Sequence, residues 1–64
     1  MRLQSKDIEI AVEIRHQTEK AVLIFDGKNE TWIPRLLIKD EVEENGVTTS
    51  IFIPEWFAEE KGLI

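Results

Sequence analysis

Residues 21–33 read AVLIFDGKNETWI, an apolar run and an alternating run separated by turn-forming residues. The first run is short and rich in branched and aromatic side chains, which is typical of a central strand. Asp26 and Gly27 can turn the chain tightly, because this dipeptide adopts the positive φ angles that a β-hairpin requires. The segment therefore predicts a hairpin between strands at residues 20–25 and 30–33.

Residues 7–15, upstream of the hairpin, alternate between apolar and mostly charged side chains. A period of two places the apolar side chains on one face of a half-buried strand. The polar residues 16–19 interrupt the alternation. We therefore predict one strand over residues 7–15, followed by a turn that leaves His16 in solvent.

Two more strands are predicted downstream of the hairpin. Pro34 has no N–H to donate to a β-ladder, so the second strand of the hairpin should either end there or lie at an edge of the sheet. Alternation resumes over residues 36–42, residues 43–46 carry turn formers, and residues 47–53 again combine branched and aromatic side chains. The sequence thus predicts a fourth strand and a fifth strand joined by a second hairpin turn.

A short helix is predicted over residues 54–61. Pro54 is tolerated at the first helical position, and Gly62 is placed to end the helix in the left-handed conformation, with Leu63 folding back on it. A helix this short is marginal in water. Its stability should come from packing on the sheet, to which Trp56 is expected to contribute.

These elements predict a single mostly-β domain over residues 1–64: a five-stranded antiparallel meander, or a small SH3-like or OB-like barrel, with a short C-terminal helix. An OB fold carries its helix between the third and fourth strands, where Pro34 leaves no room, so the SH3-like barrel or the meander is preferred. The expected core contains the apolar side chains of one face of each strand and one helix residue: Ile8, Ile10, Val12, Ile14, Val22, Ile24, Ile33, Ile38, Ile51, Ile53 and Phe57.

Size and composition restrict the function. A chain of 64 residues buries a smaller share of its surface than a larger domain does, which leaves little room for a separate active-site cleft. The sequence contains no cysteine, so neither disulfides nor a zinc ribbon can add stability. The core or a second subunit must supply that stability, and we therefore predict a homodimer.

Charge and hydropathy narrow the range of partners. Thirteen acidic and eight basic side chains give a net charge of −5, which opposes binding to a phosphate backbone and favours a protein partner with a basic surface. No apolar run approaches the roughly 20 residues of a membrane span, and no apolar leader is recognisable. We therefore expect a soluble, cytoplasmic protein without membrane contact.

No catalytic, metal or cofactor site is predicted. Nucleophilic catalysis needs a nucleophile, a base and a group that orients the base, but the single histidine, His16, is expected in a solvent-exposed turn, and neither Ser5 nor Ser50 has a recognisable partner. The acidic run at residues 40–46 lacks the spacing of an EF-hand loop, since Val42 would occupy a ligand position. We therefore expect a protein that is not an enzyme and needs no cofactor.

Acidic side chains are concentrated in two clusters rather than spread evenly. Such runs commonly only solvate a surface, but acidic surfaces also complement the basic grooves of DNA-handling proteins. The candidate partner-binding residues are Asp40, Glu41, Glu43 and Glu44 in the predicted second hairpin, Glu55, Glu59 and Glu60 in the predicted helix, and Trp32 and Arg35 at the end of the first hairpin.

An alternative is a small OB-like or SH3-like protein that binds single-stranded nucleic acid, in which bases stack on aromatic side chains along a basic groove. Trp32, Arg35 and Lys39 are the candidate contacts. Phe25 and Phe52 are expected in the core, as aromatic residues of small domains usually are. The sequence does not decide whether Trp32 faces the core or solvent, because a shift of one residue in register moves its side chain to the opposite face.

Three segments carry a resemblance to known proteins: AVLIFDG at residues 21–27, WIPR at residues 32–35 and IPEWFAEEKGL at residues 53–63. Together they resemble a pattern of small phage and prophage proteins of unassigned function. The resemblance implies an accessory protein that acts near DNA replication, recombination or host defence, for example as an inhibitor of a defence protein. It implies neither a reaction nor a ligand.

Overall fold

The computed structural model describes residues 6–64 and contains six β-strands, one short 3₁₀ helix and one α-helix. The elements are β1 (Asp7–Ala11), β2 (Glu13–Gln17), β3 (Ala21–Phe25), β4 (Glu30–Pro34), the 3₁₀ helix (Arg35–Leu37), β5 (Asp40–Glu44), β6 (Val47–Pro54) and α1 (Glu55–Glu60). They form two antiparallel sheets, the first sheet with strand order β1-β6-β5 and the second sheet with strand order β2-β3-β4. A mostly-β fold with a short C-terminal helix is thus confirmed, whereas the predicted five-stranded meander and closed barrel are wrong.

The strand predicted over residues 7–15 is divided between the two sheets. β1 pairs with β6, whereas β2 pairs with β3. Between them Val12 is buried, and its N–H donates to the carbonyl oxygen of Thr49 at 3.1 Å. The apolar side chains keep their alternation across this point, because alternation follows the extended backbone whichever strand supplies the hydrogen bonds. The single-strand prediction is therefore wrong in its pairing, although it is right in the direction of the side chains.

β2 extends beyond the predicted end of that strand. A bulge between Ile14 and His16 inserts Arg15 as an extra residue, and His16 then pairs with Leu23. A bulge changes which side chains face outward and so lets a strand continue through a break in the apolar pattern. The predicted turn at His16 is wrong, and the connection to β3 instead occupies residues 18–20.

The hairpin formed by β3 and β4 is confirmed, and it turns through residues 26–29. Asp26 organises this loop, because its carboxylate accepts hydrogen bonds from the N–H groups of Asn29 at 2.8 Å and Lys28 at 2.9 Å. These two donors, Asn29 first and Lys28 second, stabilise the charged form and lower the pKa of the Asp26 carboxyl below its usual value.

The segment predicted as a fourth strand at residues 36–42 begins instead as a turn. The N–H of Ile38 donates to the carbonyl oxygen of Arg35 at 3.1 Å and closes the 3₁₀ helix. This turn leaves Leu36 89% exposed and packs Ile38 against the core. β5 begins only at Asp40, so the prediction is wrong over the first half of the segment. Two apolar residues separated by one position fit a tight turn as well as a strand, which is why the pattern misled.

β5 and β6 form the second predicted hairpin, with a shorter turn than expected. Asn45 and Gly46 are the two turn residues, with φ angles of 55° and 80°. Positive φ at both central positions gives a turn whose twist matches that of the paired strands, and Asn-Gly adopts it at low cost. Because only two residues turn, Glu43 and Glu44 belong to β5 rather than to the turn.

α1 follows Pro54 and ends at a glycine cap. Pro54 has extended backbone angles and precedes the helix, so its predicted place as the first helical residue is wrong by one position. Gly62 adopts a φ of 74°, and its N–H donates to the carbonyl oxygen of Glu59 at 3.2 Å. The N–H of Leu63 donates to the carbonyl oxygen of Ala58 at 2.8 Å, which completes a Schellman cap and confirms the predicted left-handed end. Within the described residues, no helix has the length and apolar character needed to cross a membrane.

The core combines apolar side chains from both sheets and α1. Eight of the eleven expected side chains are buried, and the other three pack against them while partly exposed. Ala58 is buried as well and was not in the expected set. The expected packing of Trp56 on the sheet is wrong, since this side chain is 49% exposed and meets the ring of Phe57 edge-on. The helix therefore docks through Phe57 and Ala58.

Candidate partner-binding site

The β5–β6 hairpin carries the first predicted acidic cluster on an edge strand. Within residues 6–64, β5 pairs only with β6, so its other backbone edge is free. Across the same residues the one ion pair joins Arg15 to Glu13, in the second sheet, at 3.5 Å. The negative charge of the hairpin is therefore not neutralised by the described part of the chain. The exposed side chains that we call the acidic hairpin are Asp40, Glu41, Glu43 and Glu44.

A cleft of about 310 Å³ adjoins the acidic hairpin. It lies between β2 and β5, which are edge strands of different sheets and are not paired with each other. The Thr48 hydroxyl donates to Glu41 Oε1 at 3.3 Å on one wall, and isoleucine side chains form part of the lining. Two carboxylates are thus presented on a concave surface. The polar residues of this acidic cleft are Gln17, Arg35, Glu41, Glu43 and Thr48.

The second predicted acidic cluster lies elsewhere on the molecule. Glu59 and Glu60 are exposed on α1, and Glu55 is half-buried in its first turn. Glu44 pairs with Val47, at the end of β6 that is remote from α1. At about 3.4 Å per residue, the eight residues of β6 separate the hairpin tip from the helix by roughly 20 Å or more. Glu43 and Glu44 are therefore remote from the helix cluster, whereas Asp40, which pairs with Phe52, lies at the end of β5 nearer to α1.

Trp32 lies on the outer face of the second sheet. It is 46% exposed and stands in one row with Leu23 and His16, whose ring meets the indole edge-on at a centroid distance of 6.1 Å. Phe25 is on the same face, where the Arg15 guanidinium lies 4.3 Å from its ring centroid. The register thus resolves the orientation of Trp32, which faces solvent. The residues of this tryptophan face are His16, Ala21, Leu23, Phe25, Trp32 and Pro34, with Glu13 and Glu30 on either side of Phe25 at one end of the face.

The candidate contacts of the nucleic-acid alternative are spread over both sheets. Arg35 is half-buried, and its guanidinium donates from Nε to the carbonyl oxygen of Thr18 at 3.0 Å and from Nη2 to Gln17 Oε1 at 2.8 Å. These bonds tie the 3₁₀ helix to the connection between β2 and β3. Lys39 precedes β5, and its backbone is hydrogen-bonded to β6 of the first sheet. Trp32, Arg35 and Lys39 therefore do not form one basic, aromatic surface.

Phe25 and Phe52 are half-buried on the outer faces of the sheets, so their predicted place in the core is wrong. Phe52 stands between Ile51 and Ile53, which are both buried. Successive side chains of a strand point to opposite faces, so only one of two neighbouring apolar side chains can enter the core. The isoleucines enter the core, and the phenylalanine rings cover the outer surfaces.

Groups capable of chemistry are dispersed over the described residues. The His16 ring contacts Trp32, and the hydroxyl of the buried Ser50 donates to Glu9 Oε2 at 2.5 Å on the outer face of the first sheet. Ser5 lies outside the described residues. No group of three or more acidic, histidine or cysteine side chains among residues 6–64 is placed to hold a metal ion. The surface of residues 6–64 presents charged side chains and exposed apolar side chains to a partner.

Gln17 and Thr48 line the acidic cleft but are not among the predicted site residues. Thr48 could have been found, because a two-residue turn at Asn45 and Gly46 places Glu43 opposite Thr48. Gln17 has no such signal in the sequence. Its position depends on the bulge at Arg15, which the alternation pattern does not reveal.

Comparisons of the chain with models of protein families, with curated proteins and with solved structures find no match. The resemblance to small phage proteins therefore stays a prediction. Since one fold supports many functions, the function must be argued from the geometry and chemistry of the surface.

Proposed function

We propose that this chain is a non-enzymatic protein-binding module that engages a basic surface of its partner through the acidic hairpin. The observation that supports this function is the position of the acidic side chains. Four exposed acidic side chains lie along a strand with a free edge, and two of them, Glu41 and Glu43, line a cleft between the sheets. Solvation of a surface does not require a concave site, whereas capture of a partner's side chain does.

The acidic cleft suits a lysine or arginine side chain of the partner, because its two carboxylates outnumber its one cation, Arg35, whose guanidinium is hydrogen-bonded to Thr18 and Gln17. Glu41 and Glu43 can accept hydrogen bonds from its charged group, while its aliphatic stem contacts the isoleucine side chains of the cleft. Glu41 accepts the Thr48 hydroxyl through Oε1, and its Oε2 is left for the incoming cation. A partly enclosed charge pair is screened by salt less than an exposed one. The cleft therefore contributes orientation as well as attraction.

The rest of the acidic hairpin acts at longer range. Asp40 and Glu44 are exposed at the two ends of β5, on either side of the cleft-lining carboxylates. Charges at the margin of an interface chiefly increase the rate of association. At physiological salt their attraction extends over a Debye length of about 8 Å. Association should accordingly slow as salt rises.

The resemblance to phage proteins suggests the class of partner. A small accessory protein of a phage or prophage would act on a host or phage protein that handles DNA or takes part in defence. Surfaces that bind DNA are basic. A module with net charge −5 complements such a surface and competes with DNA for it, which is one way to inhibit the partner.

Two matched double substitutions test the proposal. Glu43→Lys with Glu44→Lys reverses charge at the acidic hairpin, and Glu59→Lys with Glu60→Lys makes the same change of net charge on α1. The partner is captured from a lysate of the native host, identified and purified, and association rates are measured at several salt concentrations. We expect the hairpin reversal to slow association about tenfold or more at low salt, because steering depends on the position of the charge. The helix reversal should have a smaller effect.

Thermal unfolding supplies the control for both variants. Exposed substitutions usually change stability by less than ~0.5 kcal/mol, so the melting temperatures should stay near that of the wild type. If both charge reversals slow association equally, the attraction depends on net charge alone and the acidic hairpin is not the binding site. An association rate that is insensitive to salt and to both reversals would overturn the proposal.

A further inference from the structure

The tryptophan face has an exposed apolar centre and charged margins. Trp32 is 46% exposed, and Leu36 is 89% exposed at one margin, in a shallow depression lined also by Pro34, Glu19, Lys20 and Arg35. α1 packs against β6 of the first sheet, away from this surface. Exposed aromatic and aliphatic side chains that are surrounded by polar residues are typical of an interaction site.

Charge is divided unequally between the two halves of the molecule. Residues 13–37, which form the second sheet and the 3₁₀ helix, carry four acidic and four basic side chains. Residues 6–12 and 38–64, which form the first sheet and α1, carry nine acidic and three basic side chains. The tryptophan face therefore belongs to a half with no net charge.

A second copy of the chain fits this neutral half. A basic partner is attracted to the first sheet, and a phosphate backbone requires a positive surface that the second sheet lacks. When two copies join at their second sheets, surfaces without net charge meet. The acidic first sheets then lie on opposite outer sides of the dimer, where their electrostatic repulsion is smallest. The contact also buries apolar surface that a 64-residue domain cannot bury alone.

We infer that the chain forms a two-fold symmetric homodimer in which the tryptophan face of one copy packs on the tryptophan face of a second copy. Trp32 is its central anchor, because aromatic side chains near the centre of an interface carry much of the binding energy. Leu36 adds apolar contact at the margin. The acidic hairpin belongs to the other sheet and stays exposed, so this inference does not depend on the proposed function.

Light scattering over a dilution series tests the dimer. Trp32→Glu places a charge on the face, and Trp56→Glu is the matched control, because Trp56 is 49% exposed on α1 and outside the face. The wild type and Trp56→Glu should have the mass of a dimer at high micromolar concentration. Trp32→Glu should raise the dissociation constant about thirtyfold or more, as loss of a central aromatic anchor does.

Two further variants separate association from folding. Leu36 is too exposed to be needed for the core, so Leu36→Glu should weaken the dimer while unfolding as the wild type does at a concentration where both are monomeric. Trp56→Phe leaves Trp32 as the only indole. Its emission should shift to shorter wavelength as concentration rises, because association removes Trp32 from water.

A wild-type chain that is monomeric at the highest concentration overturns the inference. Dissociation by Trp56→Glu to the same extent as by Trp32→Glu also overturns it. A third contrary result is a monomer that binds a single-stranded oligonucleotide with quenching of Trp32 that salt reverses, which would assign the face to nucleic acid.

Discussion

The two sheets share one core but differ in their outer surfaces. The first sheet and α1 together carry nine of the thirteen acidic side chains, and the Ser50 hydroxyl donates to Glu9 on the outer face of this sheet. The second sheet is neutral, and its outer face is aromatic, with Trp32 exposed and Phe25 covered by Arg15. Sheets built on the same apolar alternation can therefore serve different partners, because only the inward-facing half of each strand is committed to the core.

The hairpins of the two sheets also differ in how their turns are formed. The β5–β6 hairpin is turned by backbone conformation at Asn45 and Gly46, which have positive φ. The β3–β4 hairpin is turned with help from a side chain, the carboxylate of Asp26, which accepts two backbone N–H groups. Only the second mechanism contains a titratable group. The two hairpins should consequently respond differently to substitution and to pH.

Truncation in the shared core should have the largest effect. Ile51 of the first sheet and Ile24 of the second sheet are 1% and 0% exposed. Either one changed to Ala should lower the free energy of unfolding by about 2–5 kcal/mol, through lost burial and the cavity left behind. Chemical denaturation measures the loss, and Val47→Ala, at a position 62% exposed, is the control. A large loss for one isoleucine with none for the other would mean that the sheets do not unfold together.

Gly46→Ala should have an intermediate effect on the first-sheet hairpin. A Cβ at this position would meet no atom within 4 Å, so the cost arises from the positive φ of 80°. That conformation costs a non-glycine residue about 1–2 kcal/mol. The loss, measured by chemical denaturation, should be the same at neutral and acidic pH. Gly46→Asn should recover part of it, since asparagine tolerates positive φ better, and no recovery would contradict the backbone explanation.

Asp26→Asn should have the smallest effect, and an effect that depends on pH. Because the backbone donors lower the pKa of Asp26 in the folded state, its carboxylate stabilises the fold above the pKa of the unfolded chain. That contribution is lost as pH falls through the lowered folded pKa. The difference in stability between wild type and variant should therefore shrink in acid, and NMR titration of the Asp26 carboxyl should give a midpoint below the usual one. A difference that persists unchanged into acid would contradict this account.

Apolar alternation predicted the inward-facing isoleucine and valine side chains of the strands. The inward-pointing side chains of β1 and β2 were predicted correctly although the strand is divided at Val12, because burial depends on side-chain direction. Local turn chemistry was equally informative at Asn45 and Gly46 and at the cap formed by Gly62. Each of these signals lies within a few residues of the structure that it specifies.

The acidic run could be located from the sequence, but the cleft that it borders could not. Glu41 and Glu43 are visible as a charge run, whereas Gln17 reaches the same cleft only because of the bulge in β2, and Arg35 reaches it from the 3₁₀ helix. The sequence did not predict on which face of the sheet Trp32 lies for a related reason, since a shift of one residue in register moves the side chain to the opposite face. The sequence by itself determined the positions of the two hairpin turns, the helix cap and the inward direction of the apolar side chains, because these follow from local backbone geometry. Only the tertiary structure decided the division into two sheets, the cleft and the outer aromatic face, because these depend on which distant strands exchange hydrogen bonds.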